Sequence, residues 1–177
     1  TSQEHFKDVE KIILPGVGAF DNAMMRLNES DLIEVLNDAV LINKKPVLGI
    51  CVGMQMLAAT GFEYGEHKGL GWINADVRRL DPGPDCLKIP HMGWSSVALS
   101  RAHPLFEGFK DDTLVFYFVH SYAVTTGDSD KVLGTCSYGT PFVCALAWDN
   151  IVTTQFHPEK SQDSGIEMLE NFVGWNP

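Results

Sequence analysis

Two short apolar runs early in the chain are each cut off by a turn signal. Lys11-Ile12-Ile13-Leu14 stops at Pro15-Gly16, and Pro46-Val47-Leu48-Gly49-Ile50 stops at Cys51. Uninterrupted apolar runs of this length read as strands covered on both faces, as in a parallel sheet. Between them Ala23, Met24, Leu27, Leu32, Ile33, Leu36, Val40 and Leu41 recur at spacings of three and four, which predicts an amphipathic helix, interrupted near residues 28–30. Strand, helix, strand is a βαβ crossover. Residues 53–59 read as a further helix, so Cys51 stands at a strand-to-helix turn. The runs 70–80, 114–119, 132–136, 142–148 and 151–156 predict strands separated by Gly, Pro, Asp and Asn, and 165–173 predicts a closing helix. With no repeat, low-complexity tract or linker, residues 1–177 read as a single α/β domain with a mixed sheet.

Composition narrows the functional classes. Thirteen Lys and Arg against 23 Asp and Glu give a net charge of −10, with no basic stripe, so nucleic acid is not the expected partner. Hydrophobic residues make up 45%, enough for a core, but no run of about 18 apolar residues exists to span a membrane. Cys51, Cys86, Cys136 and Cys144 form no CxxC pair and have no histidine at zinc-ligand spacing, so no metal site is expected. The pattern of a secretory leader is absent, which points to the cytoplasm, where a special cysteine is read as catalytic before it is read as half of a disulfide.

Cys51 is special by context. At the carboxyl end of a buried strand, with Gly49 and Gly53 around it, a tight turn would expose its sulfur and aim the N–H groups of the next helix at it. Cys86, Cys136 and Cys144 lack that setting and read as small hydrophobes. A thiol nucleophile needs a base and a third group to orient the base. His157 follows a predicted strand and has Glu159 two residues on, where a carboxylate could fold back onto the imidazole. His120 also ends a strand, and His91 lies in a Pro-His-Met-Gly-Trp turn; on spacing alone His157 leads His120 only modestly. His5, His67 and His103 lie in polar surroundings and read as solvated. Pro15-Gly16-Val17-Gly18 follows a strand, and such a loop can turn N–H groups toward a ligand. Read alone, it is an ordinary βα turn.

Taken together, Gly49-Ile50-Cys51-Val52-Gly53-Met54-Gln55 and, about a hundred residues later, Gln155-Phe156-His157-Pro158-Glu159 resemble the class I glutamine amidotransferase family. Further segments are similar to its histidine-biosynthesis branch, the glutaminase subunits of imidazole glycerol phosphate synthase. These are Leu14-Pro15-Gly16-Val17-Gly18-Ala19-Phe20, Gly69-Leu70-Gly71-Trp72, Ile89-Pro90-His91-Met92-Gly93-Trp94, Phe116-Tyr117-Phe118-Val119-His120-Ser121-Tyr122 and His157-Pro158-Glu159-Lys160-Ser161-Gln162. The resemblance runs from about residue 10 to residue 173. It implies a flavodoxin-like, mixed, mostly parallel sheet flanked by helices. It implies that Cys51 attacks the carboxamide of glutamine, that His157 shuttles the proton and that Glu159 orients His157. Val52 and the Val17–Gly18 loop would supply oxyanion donors, and Gly18, Gln55, Glu63, Ser121 and Tyr122 would hold the substrate. His91, Met92, Trp94, Tyr117 and Lys160 would lie near the docking face for a (β/α)₈ cyclase that receives the ammonia and makes imidazole glycerol phosphate. No cofactor or metal is implied.

One departure from the family pattern concerns the start. Family members open with an extra strand and a glycine-rich turn leading into a first helix, whereas Thr1-Ser2 resembles the end of the second strand. The chain therefore reads as truncated by about forty residues, roughly one βα unit. Two alternatives stay open: a paralogous glutaminase feeding a surface-polysaccharide sugar amidotransferase, and a truncated docking subunit without catalysis.

Overall fold

The computed structural model describes residue 6 and residues 8–110 and 114–177. Thr1-Ser2 and His5, each given a reading above, lie outside them. The elements are β1 (Ile12–Gly16), α1 (Phe20–Glu29), α2 (Ile33–Asn37), β2 (Val47–Cys51), α3 (Val52–Gln55), β3 (Thr60–Gly61), β4 (His67–Lys68) and β5 (Ala75–Arg79). They continue with β6 (His91–Ser96), β7 (Ala98–Leu99), β8 (Val115–His120), β9 (Tyr122–Thr126), β10 (Val132–Tyr138), β11 (Thr140–Trp148), β12 (Ile151–Thr154) and α4 (Gln162–Gly174).

The main sheet runs β1-β2-β12-β11-β9-β5-β3-β4, with β10 beside β11 and β7 beside β10. β2 is buried along its whole length because it lies between two parallel neighbours, β1 and β12. The two apolar runs read as parallel strands are therefore adjacent. The α/β class and the mixed sheet follow the sequence, but the parallel share is smaller than expected: among the described residues only β1, β2 and β12 and the β3–β5 pair are parallel. β10–β11 and β11–β12 are joined by short turns that fold each strand back antiparallel on the one before, and β9 runs antiparallel to β11 and β5. A second, two-stranded ribbon pairs β6 with β8.

The predicted break in the first helix is present. Ser30 donates its hydroxyl to the Leu27 carbonyl, Asp31 takes a positive φ of 54°, and the chain restarts as α2 before a wider π-type turn over Asp38–Ile42. Phe20 and Met24 of α1 bury against the sheet.

Three local expectations are corrected. The helix after Cys51 is one turn long, not seven residues, because the carbonyls of Met56, Leu57 and Ala58 are taken by N–H groups of Leu70, Trp72 and Gly71 at 2.8, 2.9 and 3.0 Å. That same loop keeps 70–74 out of the strand, which begins at Ala75. The Pro-His-Met-Gly-Trp segment is no turn: from His91 it is strand β6, its residues alternating inward and outward against β8.

Candidate active site

β2 delivers Cys51 to the carboxyl end of the sheet and the chain reverses there into α3. The reversal puts Cys51 at φ 55°, ψ −113°, a conformation that costs a non-glycine residue about 1–3 kcal/mol and that recurs where a nucleophile is presented. Gly53 makes the elbow possible, since a Cβ on it would sit 1.8 Å from the Leu14 carbonyl oxygen. The Pro15-Gly16-Val17-Gly18 loop is thus packed backbone to backbone against the elbow. At its tip Val17 is 79% exposed and Gly18 has φ +97°, with nothing within 4 Å of where a Cβ would be.

β12 lies beside β2 and delivers His157 to the same end. The chain leaves the ladder when Thr154 donates its hydroxyl to the Phe156 carbonyl, and His157 is then fixed at both backbone ends. Its N–H donates to the Tyr117 carbonyl at 2.9 Å, and its carbonyl accepts from the Ser161 hydroxyl at 2.6 Å. A turn at Pro158–Lys160 carries Glu159 back under the ring, where His157 Nδ1 and Glu159 Oε1 are 2.6 Å apart. The other ring nitrogen, Nε2, is buried with no protein partner among the described residues.

Cys51, Val52, His157 and Lys160 line one cavity of about 380 Å³ together with Val17, Gly18, Gln55, Glu63, Ser121 and Tyr122. Every residue assigned above to catalysis, oxyanion stabilisation or substrate binding is therefore in or against one space, Glu159 entering through His157. Burial pushes the Cys51 thiol up to about 11; the Val52 N–H opposes that rise, the Glu159 carboxylate adds to it, and Lys160 and Gln155 oppose it. The sequence pointed to a helix end lowering this thiol, but a single turn offers little dipole and desolvation prevails.

Two substrate candidates have structural duties as well. Glu63 Oε2 accepts the N–H of Phe20 at 2.9 Å and so caps α1, whose preceding residue Ala19 has no side chain to do so. Gln55 is buried, and its Nε2 donates to the Tyr122 carbonyl and to Gln155 Oε1, both at 3.0 Å.

The docking candidates divide. Met92 is 62% exposed and Trp94 47%, and Trp94 meets the Tyr117 ring edge to face across the ribbon. Lys160 is exposed at the cavity rim. His91 departs from them: only 1% exposed, it is stacked between Phe118 and Tyr138 on the inner face, because strand alternation sends 91 inward where 92 and 94 point outward. Its partner is His120, with Nδ1 of His91 3.2 Å from Nε2 of His120. His120 Nδ1 faces the Tyr122 carbonyl, which can only accept, so in the neutral pair protons run from Ser95 to His91 to His120 to Tyr122. Burial lowers both rings to about 4. His120 is thus held by His91 and Tyr122, whereas His157 Nε2 faces no partner among the described residues. His103, read as solvated, accepts the Leu105 N–H and packs on Trp175.

Sequence reasoning missed Gln155. It is fully buried, and its Nε2 donates to Cys51 Sγ at 3.6 Å. Among the described residues no group of His, Cys, Asp and Glu could hold a metal ion, and no helix is long and apolar enough to cross a membrane.

Residues 2–175 match the family model of glutamine amidotransferase class-I. A Nitrobacter winogradskyi protein named imidazole glycerol phosphate synthase subunit HisH 2 is 49% identical over 174 residues, 96% of this chain and 82% of that protein. A Pseudomonas aeruginosa protein of the same name is 46% identical over 97% of this chain and 84% of its own length. Among solved structures, PurLQS from Thermotoga maritima has a TM-score of 0.70 at 15% identity, covering 94% of this chain and 80% of that one, a likeness of fold.

Proposed function

The chain belongs to the class-I glutamine amidotransferase family, and we propose that it is the glutaminase subunit of an imidazole glycerol phosphate synthase, releasing ammonia from glutamine for a cyclase subunit. The convergence of Cys51 and His157 on one cavity, with Glu159 against the Nδ1 side of the His157 ring, carries this reading. Cys51 Sγ attacks the side-chain carbonyl carbon of glutamine while its proton passes to His157 Nε2, the ring nitrogen with no other partner. The negative charge on the former carbonyl oxygen is met by the Val52 N–H and by an N–H of the Val17–Gly18 loop. His157 returns the proton to the departing nitrogen and ammonia leaves. Water, deprotonated by the same ring, then hydrolyses the thioester to glutamate and free thiol. Glu159 holds His157 Nδ1 protonated and so keeps Nε2 available at each step.

The free carboxylate oxygen of Glu63 meets the substrate ammonium, and Gly18, Gln55, Ser121 and Tyr122 complete the amino-acid site. The cyclase docks on the ribbon face carrying Met92, Trp94 and Tyr117, with Lys160 at its edge. Four unpaired thiols suit the reducing cytoplasm.

Ammonia release from glutamine, measured with and without a cyclase and its nucleotide substrate and with Cys51→Ala as blank, tests the proposal. Stimulation that vanishes in the blank supports it. Cys51-dependent release that no cyclase stimulates would move the ammonia to another acceptor, and no release at all from the folded chain would overturn the enzyme reading.

A further inference from the structure

Two buried carboxamides link the nucleophile to strand β9, and their directions are fixed from one end. The Tyr122 carbonyl can only accept, so the Gln55 group facing it is the NH₂. Both hydrogens of that NH₂ are used, one on Tyr122 and one on Gln155 Oε1. Gln155 has then committed its oxygen to Gln55, and its own NH₂ is what faces Cys51 Sγ at 3.6 Å. Neither amide can flip without setting two donors or two acceptors face to face inside a buried site.

We infer that Gln155 is a further catalytic residue of this site: it holds the Cys51 sulfur as a hydrogen-bond acceptor and so directs the thiol proton to His157. This rests on the reading of Cys51 as the glutaminase nucleophile. A sulfur that receives a donor from Gln155 keeps its own hydrogen free for another acceptor, and the buried, unpartnered acceptor in the same cavity is His157 Nε2. When the proton crosses, sulfur becomes thiolate and the ring imidazolium. The Gln155 bond strengthens at that moment, because a charged acceptor binds an N–H more tightly than a neutral one. Interactions that grow as the reaction proceeds lower its barrier. Gln155 also keeps the Gln55 carbonyl turned away from itself, leaving that oxygen for a donor on the substrate.

The test reverses the polarity without changing the shape. Gln155→Glu keeps an acceptor for Gln55 but offers the sulfur a carboxylate, and Gln155→Met keeps the volume and offers nothing. The rate of Cys51 carboxamidomethylation by iodoacetamide, located by mass spectrometry, is followed against pH in chains whose near-ultraviolet circular dichroism matches the parent. Both profiles are expected to move to higher pH, Gln155→Glu further, with a rate at pH 9 about tenfold lower for a shift of one pH unit. An unmoved midpoint in either folded variant overturns the inference. A measurement on the unsubstituted chain stands beside these: with glutamine side chains ¹⁵N-labelled, the Gln155 NH₂ resonance should move as Cys51 ionises and should not titrate in Cys51→Ala. A resonance indifferent to Cys51 overturns it equally. Neither readout needs ammonia to be produced, so failure here is separable from failure of the glutaminase assay.

Discussion

Cys51 is subject to two opposed demands. The strained elbow brings Cys51 to the cavity wall, while the packing that maintains the elbow strips water from it and holds the thiol up to about 11. Thiolate absorbance of the isolated chain, taken as a difference from Cys51→Ala, should accordingly titrate near that value, well above the roughly 8.5 of a free cysteine. A midpoint below 8 would contradict the burial argument. Linkage fixes the sign for stability: the unfolded thiol ionises first, so the contribution of Cys51 is intact below about pH 9 and is lost as pH rises toward 11. For Glu159 the short contact to His157 predicts that Glu159→Ala lowers kcat for glutamine by roughly 10²-fold or more, with KM changed little, because it loses the tautomer and not the substrate. A steady-state assay in which KM alone moved would refute that role. The elbow was legible in the sequence because an apolar run ending in Cys and flanked by glycines has few other uses. Gln155 was not singled out, since a buried glutamine declares itself only through its partners, Gln55 and Cys51, a hundred residues away in the chain.

At the scale of elements, the β6–β8 ribbon depends on a neutral histidine pair. Protonating either ring adds a hydrogen to a chain of donors that already ends on the Tyr122 carbonyl, on side chains too buried to share the charge readily with solvent. Both rings lie at about 4 in the fold against about 6.5 unfolded, so the unfolded state takes protons first and stability falls as pH drops from about 6.5 toward 4. His91→Phe keeps the stack on Phe118 and Tyr138 but leaves Nε2 of His120 without its donor. The expected result is a loss of about 1–2 kcal/mol at pH 7 and a shallower decline in acid, read from urea unfolding at several pH values. An unchanged acid slope would show that the pair does not govern it. This ribbon is also where sequence reading failed. Gly93 and two serines hide the alternation of β6, and whether residue 91 faces in or out is settled by its register with His120, not by its neighbours in the chain. The short α3 has the same origin, its carbonyls claimed by a loop that no local pattern connects to it.

Across the whole molecule, β8 serves both the cavity, which Val119 and His120 line, and the proposed docking face, where Tyr117 pairs with Trp94. β8 turns His120 toward the cavity and Tyr117 outward, and the backbone of Tyr117 carries both the carbonyl that holds the His157 N–H and the N–H that donates to Ser161. A partner pressing on the Trp94–Tyr117 pair would therefore push on the strand that positions the base, without touching the cavity. Met92 and Trp94 lie on that outer face, and neither lines the cavity. Replacing both with alanine should leave basal ammonia release by the isolated chain unaltered. Cyclase binding should weaken by about 2 kcal/mol or more, roughly thirtyfold in Kd, the loss ordinarily seen when a central aromatic anchor is removed. Titration calorimetry measures the affinity and the ammonia assay the stimulation, and the two should fall together as a function of bound fraction. If affinity drops while stimulation at saturation persists, the face is a docking surface that transmits nothing. If affinity is unmoved, the partner sits elsewhere, and the exposed tryptophan needs another explanation.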